Sequence, residues 1–168
     1  TQQQQTVIIL DNDGVPTVDL SVDHFELDED SGTTTTFARL KLSARSNQDV
    51  KVELAFGGTA KLGAGLDYTS SATSTITIPA GSETATIIIT SVPDTLFETE
   101  SEFIIIDIAT VVNATTTAGQ KRTILIKDND PIPTVTLSRG LEFINEDPIG
   151  TSTAVTATLS NISGIDTI

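Results

Sequence analysis

The sequence predicts an all-β protein that folds as an antiparallel sandwich, and three observations support this. Short apolar runs alternate with polar residues, which is the period of a half-buried strand. The apolar residues are chiefly Val, Ile, Leu and Ala, and they are mixed with many Thr residues, a composition that favours strands. Turn-forming segments separate the runs, and none of the runs shows a helical period. About seven short strands in roughly 115 residues are typical of an immunoglobulin-like sandwich.

The strand-like runs also predict which side chains face the core. Seven runs are predicted as strands, at residues 16–22, 33–43, 49–56, 73–79, 83–92, 102–111 and 121–127. Because successive side chains of a strand point to opposite faces, one set in each run should be buried. The predicted inward set includes Val18, Leu20, Ala38, Leu40, Leu42, Val50, Val52, Leu54, Phe56, Ile76, Ile78, Ala85, Ile87, Ile89, Ile104, Ile106 and Ile108.

The run 102–111 could adopt either of two registers. One register would bury Asp107 together with Phe103 and Ile105, and an unpaired buried carboxylate is costly. The other register buries Ile104 and Ile106 and turns Asp107 towards water. A slip of one residue exchanges every side chain between the two faces, so the second register is predicted.

An internal repeat sets the predicted domain boundaries. The segment "IILDNDGVPTVDLS" at 8–21 returns as "ILIKDNDPIPTVTLS" at 124–138, with an offset of 117 residues between Asp11 and Asp128. We therefore expect one complete unit at 14–130. Residues 1–13 are expected to carry the closing strand of a preceding unit, and residues 131–168 the opening strands of a following one. The proline after each acidic triplet predicts a short, stiff linker.

The composition excludes several classes of protein. Cysteine is absent and His24 is the only histidine, so disulfides, thiolate sites and zinc centres are not expected. The formal charge of −14 disfavours nucleic acid and anionic membranes and attracts cations. No apolar run approaches the length of a membrane span. His24 lacks a partner serine in a nucleophile motif, so the chain is not expected to be an enzyme.

Acidic residues recur at positions where strands end. Asp128, Asn129 and Asp130 follow the last strand of the unit, and Glu29 precedes the second. The connection 94–102 adds Asp94, Glu98, Glu100 and Glu102. In a sandwich these three segments can meet at one pole, where their oxygens would suit Ca²⁺. The spacing of an EF-hand is not present, and solvated turn residues remain the alternative. The repeat makes Asp11, Asp13 and Glu146 candidate ligands in the neighbouring units.

A set of motifs across 14–130 resembles the Calx-beta domain family. These motifs are Gly58-Thr59-Ala60, Asp67-Tyr68, Ile78-Pro79-Ala80-Gly81, Asp94-Thr95-Leu96-Phe97-Glu98 and Asp128-Asn129-Asp130. The resemblance implies Ca²⁺ ligands at Glu29, Asp94, Glu98, Asp128 and Asp130, with Glu102 at the position of the last acidic residue of the family pattern. Gly57 and Pro93 stand where some members carry acids. One or two ions, or none, are therefore expected.

The resemblance and the repeat together predict a non-enzymatic structural or adhesive module that is extracellular or on the cell surface, and the composition and tandem repetition favour a microbial protein. Calcium would stiffen a tandem array at the junctions between units. The expected partners are neighbouring repeats or identical copies and a cell-surface or matrix ligand. Two alternatives remain: a filament subunit assembled by strand exchange, and a calcium-sensing regulatory domain. Two glycosylation sequons begin at Asn113 and Asn161.

Overall fold

The computed structural model describes residues 3–10, 12–32, 34–72, 74–98, 101–117, 119–140 and 153–160. Every regular element within these ranges is a strand, and none of the described residues forms a helix capable of crossing a membrane. The strands are β1 (Thr17–Val22), β2 (Glu26–Asp28), β3 (Thr35–Leu42), β4 (Val50–Gly58), β5 (Tyr68–Ser70), β6 (Thr75–Ile78), β7 (Thr84–Ser91), β8 (Glu102–Val112), β9 (Thr115–Thr116), β10 (Arg122–Lys127), β11 (Val135–Arg139) and β12 (Val155–Leu159).

Strands β1 to β10 form two five-stranded sheets that pack as a sandwich. The strand order is β5-β7-β3-β1-β9 in one sheet and β2-β10-β8-β4-β6 in the other. Neighbouring strands are antiparallel except for β1 with β9 and β2 with β10, which pair in parallel. The predicted all-β, immunoglobulin-like sandwich is confirmed. The expected number of seven strands was too low, because β2, β5 and β9 are only two or three residues long and show no alternation.

The core lies between the inner faces of the two sheets and follows the predicted alternation. In β3 every second residue is buried, while Phe37, Arg39 and Lys41 point outward. Burying one Val, Leu or Ile side chain typically contributes about 1.5–3 kcal/mol, so these faces dominate the stability. Most of the predicted inward residues are buried. Four of them, Phe56, Ile76, Ala85 and Ile108, are only partly buried and pack against the edge of the core.

Strand β8 adopts the register that keeps its carboxylate out of the core. Ile104 and Ile106 are fully buried, whereas Asp107 is only partly buried and Phe103 is exposed. A bulge in the pairing of β4 with β8, at Glu53, shifts the register towards the end of the ladder. The predicted second register is confirmed.

Strand β2 carries the chain from one sheet to the other. The chain leaves β1, and Leu27 then pairs in parallel with Ile126 of β10. Leu27 is fully buried, which holds this short strand in the core. The backbone N–H of Glu29 donates to the carbonyl of Lys127 at 3.2 Å. The end of β2 therefore lies beside the end of β10, where the acidic triplet begins.

The hairpin β11–β12 reproduces the pairing of β1 with β3. Val135 pairs with Leu159 and Leu137 with Ala157, the same register, displaced by 117 residues, that pairs Val18 with Leu42 and Leu20 with Leu40. A matching hydrogen bond accompanies each pair of strands: the backbone N–H of Thr17 donates to the Ser43 hydroxyl, and that of Thr134 donates to the Ser160 hydroxyl, at 2.9 Å in both cases. All residues of β11 and β12 are exposed, whereas the inner face of β1 and β3 is buried.

Gly58 is required where β4 approaches β8. Its φ is +112°, and a Cβ placed there would lie 2.0 Å from the carbonyl oxygen of Phe103. We predict that Gly58→Ala lowers the free energy of unfolding by at least about 2 kcal/mol, because both the backbone conformation and the strand contact must change. Urea unfolding of the full chain measures this.

The neighbouring glycine provides the matched control. A Cβ on Gly57 meets nothing within 4 Å. Gly57→Ala should therefore leave the free energy of unfolding within about 0.5 kcal/mol of the parent. Equal destabilisation by the two substitutions would contradict the assignment of the close contact to Gly58.

Candidate metal centre

Three connections bring carboxylates together at one pole of the sandwich. Glu29 follows β2, Asp94 follows β7 and Asp130 follows β10. One carboxylate oxygen from each lies within 4.8 Å of the other two. Because β7 belongs to one sheet while β2 and β10 belong to the other, this cluster spans both layers of the sandwich.

Glu29 is the buried member of the cluster. The residue is 8 % exposed, and its Oε2 atom is buried without a hydrogen-bond partner. The Oδ2 atom of Asp130 is buried and unpartnered in the same way. The backbone N–H of Asp94 donates to the Glu29 carboxylate, which leaves the second oxygen free. A buried carboxylate oxygen without a donor is costly unless a cation or a proton compensates it.

The triplet at the end of β10 folds into a tight turn. Asp128 Oδ1 accepts the backbone N–H of Asp130 at 2.8 Å, and its Oδ2 accepts that of Glu98, also at 2.8 Å. Asn129 donates its side-chain N–H to the carboxylate of Asp30. Asp128 thus ties the triplet to the β7–β8 connection, and Asn129 ties it to the loop that carries Glu29.

A second acidic group lies beside the first. Glu102, the first residue of β8, shares a side-chain hydrogen bond with Asp67. Asp67 Oδ2 also accepts the backbone N–H of Lys61 at 2.6 Å. The sequence analysis did not name Asp67 as a site residue. The feature that could have identified it is its position directly before Tyr68, whose side chain is buried. Glu98 feels the charges of both groups, since Asp94 and Asp67 both act on its carboxyl.

Burial and mutual repulsion raise the pKa values of these acids. Burial, followed by the charges of Asp94, Asp128 and Asp130, raises the pKa of Glu29 from 4.5 to about 7. Burial, and then the hydrogen bond that the protonated Glu102 carboxyl donates to Asp67, raise the pKa of Glu102 to about 7. The pKa values of Glu98 and Asp130 are also raised, chiefly by burial. The pole therefore holds more negative charge than its own donors stabilise.

The remaining candidate ligands lie elsewhere. Asp13 lies in the exposed linker before β1, where it lines an open cavity of about 490 Å³ with Arg45, Asn47 and Asn113. This cavity belongs to the loops at the opposite pole from Glu29. Asp11, Glu100 and Glu146 lie outside the described residues.

The fold is similar to that of three solved structures. The apo-form Calx CBD1 domain matches with a TM-score of 0.53 and 20% identity, over 68% of this chain and 99% of that one. CBD12 from CALX1.2 matches with a TM-score of 0.54 and 18% identity, over 68% of this chain and 46% of that one. The calcium binding domain CBD12 of CALX1.1 matches with a TM-score of 0.53 and 16% identity, over 84% of this chain and 69% of that one. No family model and no curated protein matches the chain. These likenesses support a Calx-beta-like fold.

The raised pKa of Glu29 predicts how the stability of the metal-free protein changes with pH. Between pH 4.5 and about pH 7 the folded state binds more protons at Glu29 than the unfolded chain does. The free energy of unfolding contributed by this group therefore falls as the pH rises through that window. We predict that Glu29→Gln flattens this fall and makes the metal-free protein more stable than the parent at pH 8.

Urea unfolding in the presence of a chelator, at pH 5 and pH 8, measures the effect. Glu53→Gln makes the same chemical change on the exposed face of β4 and should leave the difference between the two pH values as in the parent. If Glu29→Gln and the parent lose equal stability between pH 5 and pH 8, the assignment of the raised pKa to Glu29 is wrong.

Proposed function

We propose that this domain is a calcium-binding module and that its ion lies among Glu29, Asp94 and Asp130. The observation that carries the proposal is the buried, unpartnered Oε2 atom of Glu29, a residue with a carboxylate oxygen within 4.8 Å of those of Asp94 and Asp130. A divalent cation would compensate this oxygen and that of Asp130 at once. The oxygen-only donors suit Ca²⁺, which accepts ligands from irregular loops more readily than Mg²⁺ does.

The surrounding residues would support the ion in different ways. Glu29, Asp94 and Asp130 offer free carboxylate oxygens, while Asp128 holds the turn through two backbone N–H groups. The charges of Asp94 in this cluster and of Asp67 in the neighbouring carboxyl pair both act on Glu98, so the charge of Glu98 would add to the attraction for a cation. One of the structures with a similar fold is a calcium binding domain, CBD12 of CALX1.1, which supports the same role here.

The proposal is a binding function and not catalysis. The carboxylates belong to turns at the end of a sandwich, and His24, the only histidine of the sequence, is exposed. An ion there would join the loop after β2 to the ends of β7 and β10. Its consequence is therefore mechanical: it ties the two sheets together at one pole.

Calcium should stabilise the folded chain. Binding to the folded state alone stabilises it by about 2.7 kcal/mol when Ca²⁺ is at one hundred times its Kd. We predict that Ca²⁺ raises the Tm of the full 168-residue chain and that Mg²⁺ raises it less. Differential scanning calorimetry at neutral pH, with chelated protein as the reference, measures both.

Two variants at the cluster and one outside it test whether these carboxylates hold the ion. Glu29→Gln and Asp130→Asn should each reduce the Tm rise at a fixed Ca²⁺ concentration. Asp19→Asn removes an exposed carboxylate from the outer face of β1 and should leave the rise intact. An unchanged Tm on adding millimolar Ca²⁺ to the parent would overturn the proposal.

We further propose that the domain is one unit of an extracellular tandem array, in which the ion stiffens the chain near each junction. The supporting observation is the hairpin β11–β12, whose register repeats that of β1 with β3. Its apolar residues are exposed, with Leu137 at 70 % against 0 % for its counterpart Leu20. In the complete unit this face is covered by the second sheet, so further strands should cover it here.

Strand exchange between identical copies is the second arrangement. The head carries a counterpart of β10 and the tail counterparts of β1 and β3, so a joint made from these alone would lack β4 to β8 and would leave open edges. We therefore favour the array, with regulation by calcium as a separate alternative role.

Intact-mass measurement of the protein isolated from its source distinguishes the two arrangements. The array predicts a mass well above the 17.7 kDa of these residues. A mass near 17.7 kDa, together with a filament in which the hairpin packs on a neighbouring copy, would establish strand exchange instead.

A further inference from the structure

Ser91, the last residue of β7, is surrounded by three backbone carbonyl oxygens. The residue is only 4 % exposed. Its hydroxyl oxygen lies 2.7 Å from the carbonyl oxygen of Asp28, 3.1 Å from that of Thr34 and 3.2 Å from that of Glu29. The three carbonyls belong to the last residue of β2 and to the connection that follows it, the segment that carries the buried ligand candidate Glu29.

The hydroxyl proton can satisfy only one of these carbonyls at a time. The carbonyl of Thr34 already accepts the backbone N–H of Ser91 at 3.0 Å. The shortest remaining contact is to Asp28, so this carbonyl is the best acceptor for the hydroxyl, with Glu29 next to it. The hydroxyl thus joins β7 of one sheet to the end of β2 in the other.

The same short segment also reaches the carboxylate of Glu29. Three residues after Ser91, the backbone N–H of Asp94 donates to that carboxylate. Residues 91–94 therefore hold Glu29 at two points. Ser91 contacts the backbone carbonyls of Asp28 and Glu29, and Asp94 contacts one carboxylate oxygen of Glu29. The other oxygen, Oε2, remains without a donor in the cluster. The backbone N–H of Glu29 is in turn fixed by Lys127 of β10.

We propose that Ser91 is a positioning residue for the calcium site, which holds the Glu29 backbone so that the Glu29 carboxylate lies beside those of Asp94 and Asp130. This inference rests on the proposed calcium binding. Without the hydroxyl, the loop after β2 keeps its pairing with β10 and the backbone hydrogen bond from Ser91 to Thr34, but it loses the side-chain hydrogen bond from β7 beside Glu29. The separation between Glu29 and Asp94 is then less restricted, and more of the binding energy is spent on ordering the site.

Calcium titration of the full chain by isothermal calorimetry tests the inference. Ser91→Ala should weaken Ca²⁺ binding about three- to tenfold, the range expected for one lost hydrogen bond. Ser91→Thr keeps the hydroxyl and should recover most of the affinity. Unfolding of each metal-free variant is measured in parallel, so that a loss of stability is separated from a loss of affinity.

Gln120→Leu is the matched control. Gln120 is also buried, and its Oε1 atom accepts the backbone N–H of Leu20 at 2.9 Å. It precedes β10, at the opposite end of that strand from Asp128. Its loss should lower the free energy of unfolding and leave the Ca²⁺ affinity unchanged.

The outcomes separate the two proposals. If the parent binds Ca²⁺ and Ser91→Ala binds with the affinity of the parent or of Gln120→Leu, the role of Ser91 is wrong while the calcium site stands. If the parent shows no binding, the calcium proposal fails and the positioning role fails with it. Selective weakening in Ser91→Ala, with recovery in Ser91→Thr, supports the inference.

Discussion

The parallel pairing of β2 with β10 is the constraint on which the acidic pole depends. Leu27 is fully buried, and its apolar side chain holds this three-residue strand against the core. Residues two apart on a strand share a face, so the burial of Leu27 also turns Glu29 inward. Because β10 ends in the triplet 128–130, the same pairing delivers Glu29 to Asp130. The burial of one apolar side chain, Leu27, thereby brings the carboxylates of Glu29 and Asp130 close together.

The arrangement places a destabilising group within a stable scaffold. The inner faces of the two sheets supply the apolar burial that folds the domain, while the pole collects acids whose pKa values are raised by burial and repulsion. Without a cation, these acids oppose the folded state at neutral pH, and Ca²⁺ would reverse this. Since Glu29 and Asp94 follow strands of different sheets, ion binding and sheet packing would be coupled through the same few atoms.

Strands β11 and β12 show that the pairing of two strands does not require that their side chains are buried. Strands β11 and β12 adopt the register of β1 and β3 although all their residues are exposed, so this pairing does not depend on burial. Burial of Leu20 requires the facing sheet, whose last strand in the sequence, β10, ends 107 positions later. A unit of this kind gains most of its stability only when its last strand is in place.

The sequence by itself determined the sandwich, the faces of its longer strands and the register of β8, because alternation over five or more residues reports burial directly. It also named Glu29, Asp94 and Asp130, since acids at strand ends are visible without a fold. Only the tertiary structure decided which of their oxygens converge, that Asp67 joins Glu102, and that Ser91 holds the loop of Glu29. These contacts join residues 35 to 101 positions apart. Short strands such as β2 create them, and two or three residues carry no periodic signal.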